Sequence, residues 1–331
     1  MRHESCKNAA MAHPSDTAEP APPALLSRAS FADADEQAAA LTGWNQSYLQ
    51  LSRGAFGGEV RQLEFAGLRL FVESLRESVY QTGQIRNGAL ALGLPLQVEG
   101  PSMFCGAPSD ADALHVFSGA SGFEFRSSRR HVMLGLELDE AAWRRCGEHD
   151  PALQARLGAQ AGLRRLDGAA QAGLRQCLVG VLDTVEAAPA LLQSPAVQAA
   201  MLDTVMEQLG RVLAPTGGVD SVSIHGHWAL TRRARELVHT QLDQPPTVLA
   251  LCEQLGVSRR TLQNGFQTAL GISPLAYLRA VRLNAARQAL KTATSVTAAA
   301  TDLGFWHFGH FAHDYQQMFG ELPSESFRRN H

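Results

Sequence analysis

The chain has 331 residues, 45% of them hydrophobic and 18% charged, with a formal net charge of −3. That length suits two domains of ordinary size. The composition excludes a disordered or fibrous chain, and no apolar run approaches the roughly 20 residues of a membrane helix, so a cytoplasmic protein with no membrane contact is expected. The charge is unevenly spread: residues 228–331 hold 11 Lys and Arg against 7 Asp and Glu, and the remainder holds 18 against 25. A basic C-terminal third beside an acidic remainder is the asymmetry expected when one part of a chain meets a polyanion.

Residues 1–30 are punctuated by Pro14, Pro20, Pro22 and Pro23 and lack the apolar block of a secretory signal, so they read as a disordered tail. From Phe31 to about Asp139, short runs alternate apolar and polar residues between glycines. Val60-Arg61-Gln62-Leu63-Glu64-Phe65 and His131-Val132-Met133-Leu134-Gly135-Leu136-Glu137-Leu138 are examples. A period of two with β-branched and aromatic residues predicts antiparallel strands of a barrel or roll, a fold whose mouth holds ligands. After Asp139 the period changes. Leu174, Leu178, Val181, Leu182 and Val185 form one helical stripe, and Leu202, Val205, Met206, Leu209, Val212 and Leu213 another. These two helices either pair with their copies in a homodimer or cap the barrel of their own chain. Residues 31–213 thus form a sensing domain with a helical extension. The linker is 214–224, from its Pro215 and Gly217-Gly218, and 225–331 is an all-α domain, making the chain α+β.

Five cysteines, Cys6, Cys105, Cys146, Cys177 and Cys252, are scattered with no CxxC pair, which suggests neither a disulfide framework nor a zinc site. Cys252 is expected in the core. No Walker loop, GxSxG elbow, HExxH or GxGxxG is present, so no catalytic residue is assigned and the chain is read as a non-enzyme.

The informative region is the C-terminal third. In Leu251-Cys252-Glu253-Gln254-Leu255-Gly256-Val257-Ser258-Arg259-Arg260-Thr261-Leu262, a short helix ends at Gly256, Ser258 caps a second helix, and Leu251 and Leu255 face Leu262 and Phe266 across the corner. Arg259, Arg260, Thr261, Gln263, Asn264 and Gln267 are left to point outward, and they are residue types that bond base edges and phosphates. A second set, Val296 to Tyr315, repeats helix, glycine turn at Gly304 and helix, with Phe311 and Tyr315 inward. The unbroken run from Pro274 to Lys291 separates the two sets. A rigid spacer of that kind suits two recognition helices set about one DNA turn apart.

These motifs resemble the AraC/XylS regulators. The carrying residues are Gly256 to Gln263, Gly271-Ile272-Ser273-Pro274, Leu303-Gly304-Phe305 with Phe311, and Phe319-Gly320-Glu321-Leu322-Pro323-Ser324. The resemblance covers about Trp228 to Arg329 and implies a double helix-turn-helix transcription regulator, expected to be an activator, that binds double-stranded promoter DNA and RNA polymerase. It implies DNA contacts by Ser258, Arg259, Arg260, Gln263, Asn264 and Gln267 in the first motif, and by His307, Gly309, His310 and His313 in the second. The three histidines recur every third residue, but metal-binding histidines need companion ligands and hydrogen-bonded support, so DNA contact is expected there and no metal. A narrower resemblance, in Gly304 to Tyr315 and Val281 to Arg287, is to the ethanolamine-utilisation activators. It implies ethanolamine and adenosylcobalamin as effectors, although the Asp-x-His-x-x-Gly cobalamin fingerprint is absent. No cofactor-binding residue is assigned. A regulator of another pathway, or a DNA binder without any inducer, stands as the alternative.

Overall fold

The computed structural model describes residues 24–149, 151, 154, 162–212, 226–241 and 246–331. The proposed linker and residues 1–23 of the proposed tail lie outside these. Strands β1 (Leu25–Phe31), β3 (Gly58–Phe65), β4 (Leu68–Leu75), β6 (Leu90–Glu99), β9 (Ala113–Ser118), β11 (Arg129–Leu138) and β12 (Gly162–Arg165) form one sheet, in the order β1-β3-β4-β11-β6-β9-β12. A smaller sheet runs β2 (Asn45–Gln50), β5 (Val79–Gln84), β10 (Phe123–Arg126), β7 (Ser102–Phe104), β8 (Ala107–Ser109). The antiparallel, strand-rich domain expected from sequence is therefore laid out as two open sheets. Residues 25–30, assigned to the tail from sequence, are a correction. They belong to β1, which pairs with β3 from Leu25 opposite Glu64 to Phe31 opposite Gly58, and that long-range pairing leaves no local sign.

The large sheet is covered on both faces because its strands carry apolar residues at both parities. Leu70 and Val72, Leu114 and Val116, and Leu134 and Leu136 face helices α3 (Gly168–Ala187) and α4 (Pro195–Val212), meeting Leu174, Leu178, Leu182, Val205 and Leu209. Phe71, Phe117 and Met133 face the small sheet, meeting Phe104, Phe123 and Phe125. Leu174, Leu178, Leu182 and Val185 of the first stripe and Val205 and Leu209 of the second therefore bury against the sheet of their own chain, while Leu213 lies outside the described residues.

The layer between the sheets also holds charge. Arg69 donates to Glu137 at 2.9 Å and Trp44 donates its indole N–H to the same carboxylate oxygen at 2.8 Å. Glu73 accepts from Tyr48 at 2.6 Å and Gln37 at 3.0 Å; burial pushes its pKa up, against the opposing effect of those donors. Strand alternation makes this arrangement. Arg69, Phe71 and Glu73 share one face of β4, so the polar and aromatic inner residues come from the same strand as the aliphatic outer ones.

The remaining helices are α1 (Ala34–Ala38), α2 (Glu140–His149), α5 (Gly226–His239), α6 (Val248–Leu255), α7 (Arg259–Leu270), α8 (Pro274–Ala289), α9 (Val296–Asp302), α10 (Phe308–Phe319) and α11 (Pro323–Asn330). No described helix is long and apolar enough to cross a membrane. Helices α5 to α11 pack on the β domain at two places. Arg235 of α5 donates to the Tyr80 hydroxyl and to Glu124 at 3.1 Å, with Leu51, Tyr80 and Met103 entering the helical core beside Trp228. Farther along, Asp33 accepts from Arg287 at 2.7 Å and Lys291 at 3.1 Å, Asn284 exchanges hydrogen bonds with the backbone of Gln50, and Gln50 donates to the carbonyl of Met318 at 2.8 Å. Burial alone would raise the Asp33 pKa, but Arg287 and Lys291 outweigh it and hold the carboxyl below its ordinary value.

Arg69→Met strands the Glu137 carboxylate between the sheets, and loss of one partner of a buried pair costs about 3–5 kcal/mol. Chemical denaturation followed by circular dichroism should show a loss of that size. Adding Glu137→Gln, which removes the charge and keeps an acceptor for Trp44, should restore a large part of it; a double variant no more stable than Arg69→Met would mean that the ion pair is not the cause.

Candidate nucleic-acid interface

Helix α6 is started by Thr247, whose hydroxyl accepts from the Ala250 N–H at 3.1 Å. It stops at Gly256, whose φ of 65° and ψ of 35° lie in the left-handed region. The Val257 N–H reaches the carbonyl of Cys252 at 3.0 Å and the Gly256 N–H that of Glu253 at 3.3 Å, the paired closure of a Schellman turn. The second motif repeats it: Gly304 has φ 71°, Phe305 N–H bonds Ala300 at 2.9 Å and Gly304 N–H bonds Thr301 at 2.9 Å. A side chain at either glycine would be strained by the backbone alone, since a Cβ at Gly256 meets nothing within 4 Å and one at Gly304 only the end of Arg282.

Ser258 starts α7 by accepting from the Thr261 N–H at 3.1 Å, and its hydroxyl lies 2.8 Å from that of Thr261. The hydroxyl thus holds the helix start. Leu262, Phe266 and Leu270 are buried, while Arg259, Arg260, Thr261, Gln263, Asn264 and Gln267 are exposed in one run along α7. Leu251 and Cys252 are buried beneath them. In the second motif Phe311, Tyr315 and Phe319 are buried, while His307, Phe308, Gly309, His310 and His313 are exposed. His307 occupies the N-cap of α10 without a side-chain capping bond. The His307 and His310 rings lie 6.0 Å apart, and His313 is 2.6 Å from Gln317 on its own helix.

Superposing the buried anchors, Leu262 with Phe311 and Phe266 with Tyr315, shows how unequal the two helices are. Arg260 corresponds to Gly309, Gln263 to Ala312, Asn264 to His313 and Arg259 to Phe308. The second turn is also one residue longer. Ser258 follows Gly256 by two positions and His307 follows Gly304 by three, and the additional residue, Trp306, is 72% exposed. That difference is legible in the sequence by counting from each glycine to the first buried anchor of the following helix, Leu262 or Phe311.

Both helix starts open onto one cleft of about 1150 Å³, lined among others by Arg259, Leu275, Arg279, Trp306, His307 and His310. Its floor is α8. Arg282 of α8 donates to the carbonyls of Leu303 at 3.0 Å and Gly304 at 2.7 Å and lies 4.2 Å from the centre of the Phe305 ring, which ties the second turn to the spacer helix. Burial lowers its pKa from the ordinary arginine value. Arg279 faces Asp314 at 3.5 Å. Neither arginine was singled out by the motif, because their role depends on which turn α8 lies under.

The comparisons with known proteins concern this same region. A helix-turn-helix domain model matches residues 251–329. A probable thc operon regulatory protein of Rhodococcus erythropolis is 38% identical over 103 residues, 30% of this chain and 31% of that protein. The XylDLEGF operon transcriptional activator 3 of Pseudomonas putida is 36% identical over 101 residues, 29% of this chain and 30% of its own. The chain thus spans about a third of the length of these curated relatives. Among solved structures, a probable AraC family transcriptional regulator from Rhodopseudomonas palustris is 40% identical, covering 31% of this chain and 97% of that one with a TM-score of 0.29. An AraC-type regulator from Chromobacterium violaceum is 30% identical, covering 32% and 95% with a TM-score of 0.30. With its two capped turns and buried anchors, the region 251–329 is a helix-turn-helix domain, similar in sequence to parts of these transcription regulators.

Proposed function

We propose that the chain is a transcription regulator, an activator like the Pseudomonas relatives by name, that binds promoter DNA through both motifs. The observation that carries this is the exposed run Arg259, Arg260, Gln263, Asn264 and Gln267 on α7, whose first member, Arg259, lines the same cleft as His307 and His310 at the start of α10. Arginine, glutamine and asparagine make paired hydrogen bonds to guanine and adenine in the major groove, and the packed spacer α8 fixes the separation of the two helices. In this reading Ser258 positions α7 and the histidines of α10 contact DNA more evenly across sequences. RNA polymerase is the second macromolecular partner that activation requires.

The β domain is the part proposed to sense a small molecule, with ethanolamine and adenosylcobalamin as the effectors that the second motif's resemblance implies. One observation favours an inducer-independent binder instead. The inter-sheet layer is occupied by aromatic rings, Trp44 at 5.0 Å from Phe117 and 5.6 Å from Phe123, and Phe117 at 4.9 Å from Phe123. Calorimetric titration of the full chain with each effector separates the two readings, since a sensor gives saturable heat and an inducer-independent binder gives none.

DNA affinity of the full chain should fall steeply with salt, with a slope of about 0.9 per phosphate neutralised in a plot of log affinity against log salt. Alanine at Arg232, Arg233 or Arg259, all exposed, should each lower the slope by about 1. An unchanged slope in all three would remove these arginines from the phosphate contacts. Specificity should divide unequally. Arg260→Ala should lose about 1–3 kcal/mol of discrimination between a specific and a scrambled duplex, and His310→Ala should weaken both duplexes to a similar extent. Competition binding at fixed salt measures this, and a greater loss of discrimination in His310→Ala would shift the dominant reading to α10.

A further inference from the structure

Helix α10 presents almost nothing that hydrogen-bonds a base where α7 presents Arg260 and Gln263, yet its face is not empty. Phe308 is 46% exposed and Trp306 72%. With Leu249 and Leu275 they make up four of the seven exposed large apolar side chains among the described residues, and three of the four line the cleft between the motifs. Gly309 sits between Phe308 and His310 with open space where a Cβ would lie. Packing within the chain therefore does not demand glycine there, although glycine inside a helix is unfavourable. What the glycine provides is a bare strip of backbone flanked by Phe308 and, one turn on, by the methyl group of Ala312. Arg259 stands at the same cleft, a cation suited to the phosphates of a duplex, and Arg279 stands there beside Asp314.

A small, apolar, outward helix surface beside cations matches one feature of the major groove, the C5-methyl group of thymine, which phenylalanine and alanine contact without hydrogen bonds. We propose that α10 reads DNA by methyl recognition: Phe308 and Ala312, on either side of Gly309, receive thymine methyl groups, with Trp306 covering the adjoining sugar and phosphate edge. The first motif then selects guanine and adenine by hydrogen bonding, and the second selects thymine by apolar contact. This rests on the reading of the chain as a duplex-DNA binder.

The test uses the full chain and duplexes recovered with it from a random-sequence library. In each recovered duplex, thymine is replaced by deoxyuridine in one half at a time, which deletes methyl groups and leaves every hydrogen bond in place. One half should lose affinity by about fourfold for each contacted methyl removed, and the other half should change by less than about twofold on the same scale. Phe308→Ala should reduce the loss in the sensitive half by the share of the methyl contact it makes, about fourfold, whereas Arg260→Ala should leave it intact. Equal sensitivity of both halves, no sensitivity in either, or full sensitivity retained in Phe308→Ala would overturn methyl reading by α10. The wild-type measurement stands without the variants should either misfold. Failure to recover any enriched duplex would instead overturn the DNA-binding reading itself, and methyl reading with it.

Discussion

The C-terminal domain depends on the burial of one helix. α8 connects the two motifs, and Tyr277, Leu278, Val281, Leu283 and Ala286 are all buried, so the helix is gripped on several sides. Tyr277 packs against Phe266 of the first motif at 5.4 Å between ring centres, and Arg282 holds the carbonyls of the second turn. A helix of 16 residues, about 24 Å long, is therefore tied to the first motif through Tyr277 in its first turn and to the second through Arg282 at its middle. The separation of the two outward helices is a property of this packing. A solvated helix of the same length would hold the motifs only loosely, since isolated helices of this size are marginal in water.

The β domain adds a second constraint by touching both halves. Tyr80 and Glu124 take Arg235 on the side of the first motif, while Asp33 takes Arg287, itself 2.9 Å from Glu321, on the side of the second. Arg235, Asp33 and Arg287 are buried and their partners Glu124 and Glu321 half-buried, and a buried pair contributes little net stability over an apolar substitute while penalising any arrangement that separates its members. The contacts therefore specify how the domains sit more than they strengthen the fold. All six candidate α7 side chains and the exposed start of α10 remain open to solvent in this arrangement, so docking of the β domain and access to DNA are compatible.

The two motifs are alike in how they are built and unlike in what they present. Their turns close with the same hydrogen bonds and their second helices bury anchors at the same spacing, because a helix pair meeting at a corner needs those anchors wherever it occurs. Nothing in that packing constrains the outward positions. Arginine, glutamine and asparagine fill them in α7; glycine, alanine and histidine fill them in α10.

The sequence by itself determined the helix-turn-helix pair, since its signals are local: glycine where φ is positive, a hydroxyl three residues before the N–H it caps, and anchors four residues apart. Its period of two showed equally that most of residues 31–139 form strands, although the short helix α1 (Ala34–Ala38) interrupts them. Tertiary structure alone decided which partners those local elements meet. Both parities of β4, β9 and β11 are apolar or buried, so periodicity left open whether the helical stripes of α3 and α4 would face a second subunit or their own sheet, and packing chose the sheet. The pairing of β1 with β3, the ions linking Asp33 to Arg287 across 254 positions, and the place of Arg282 beneath the second turn likewise have no local signature. Each depends on bringing distant segments together, where the burial of a charge or a strand edge is settled by a partner the neighbouring sequence does not name.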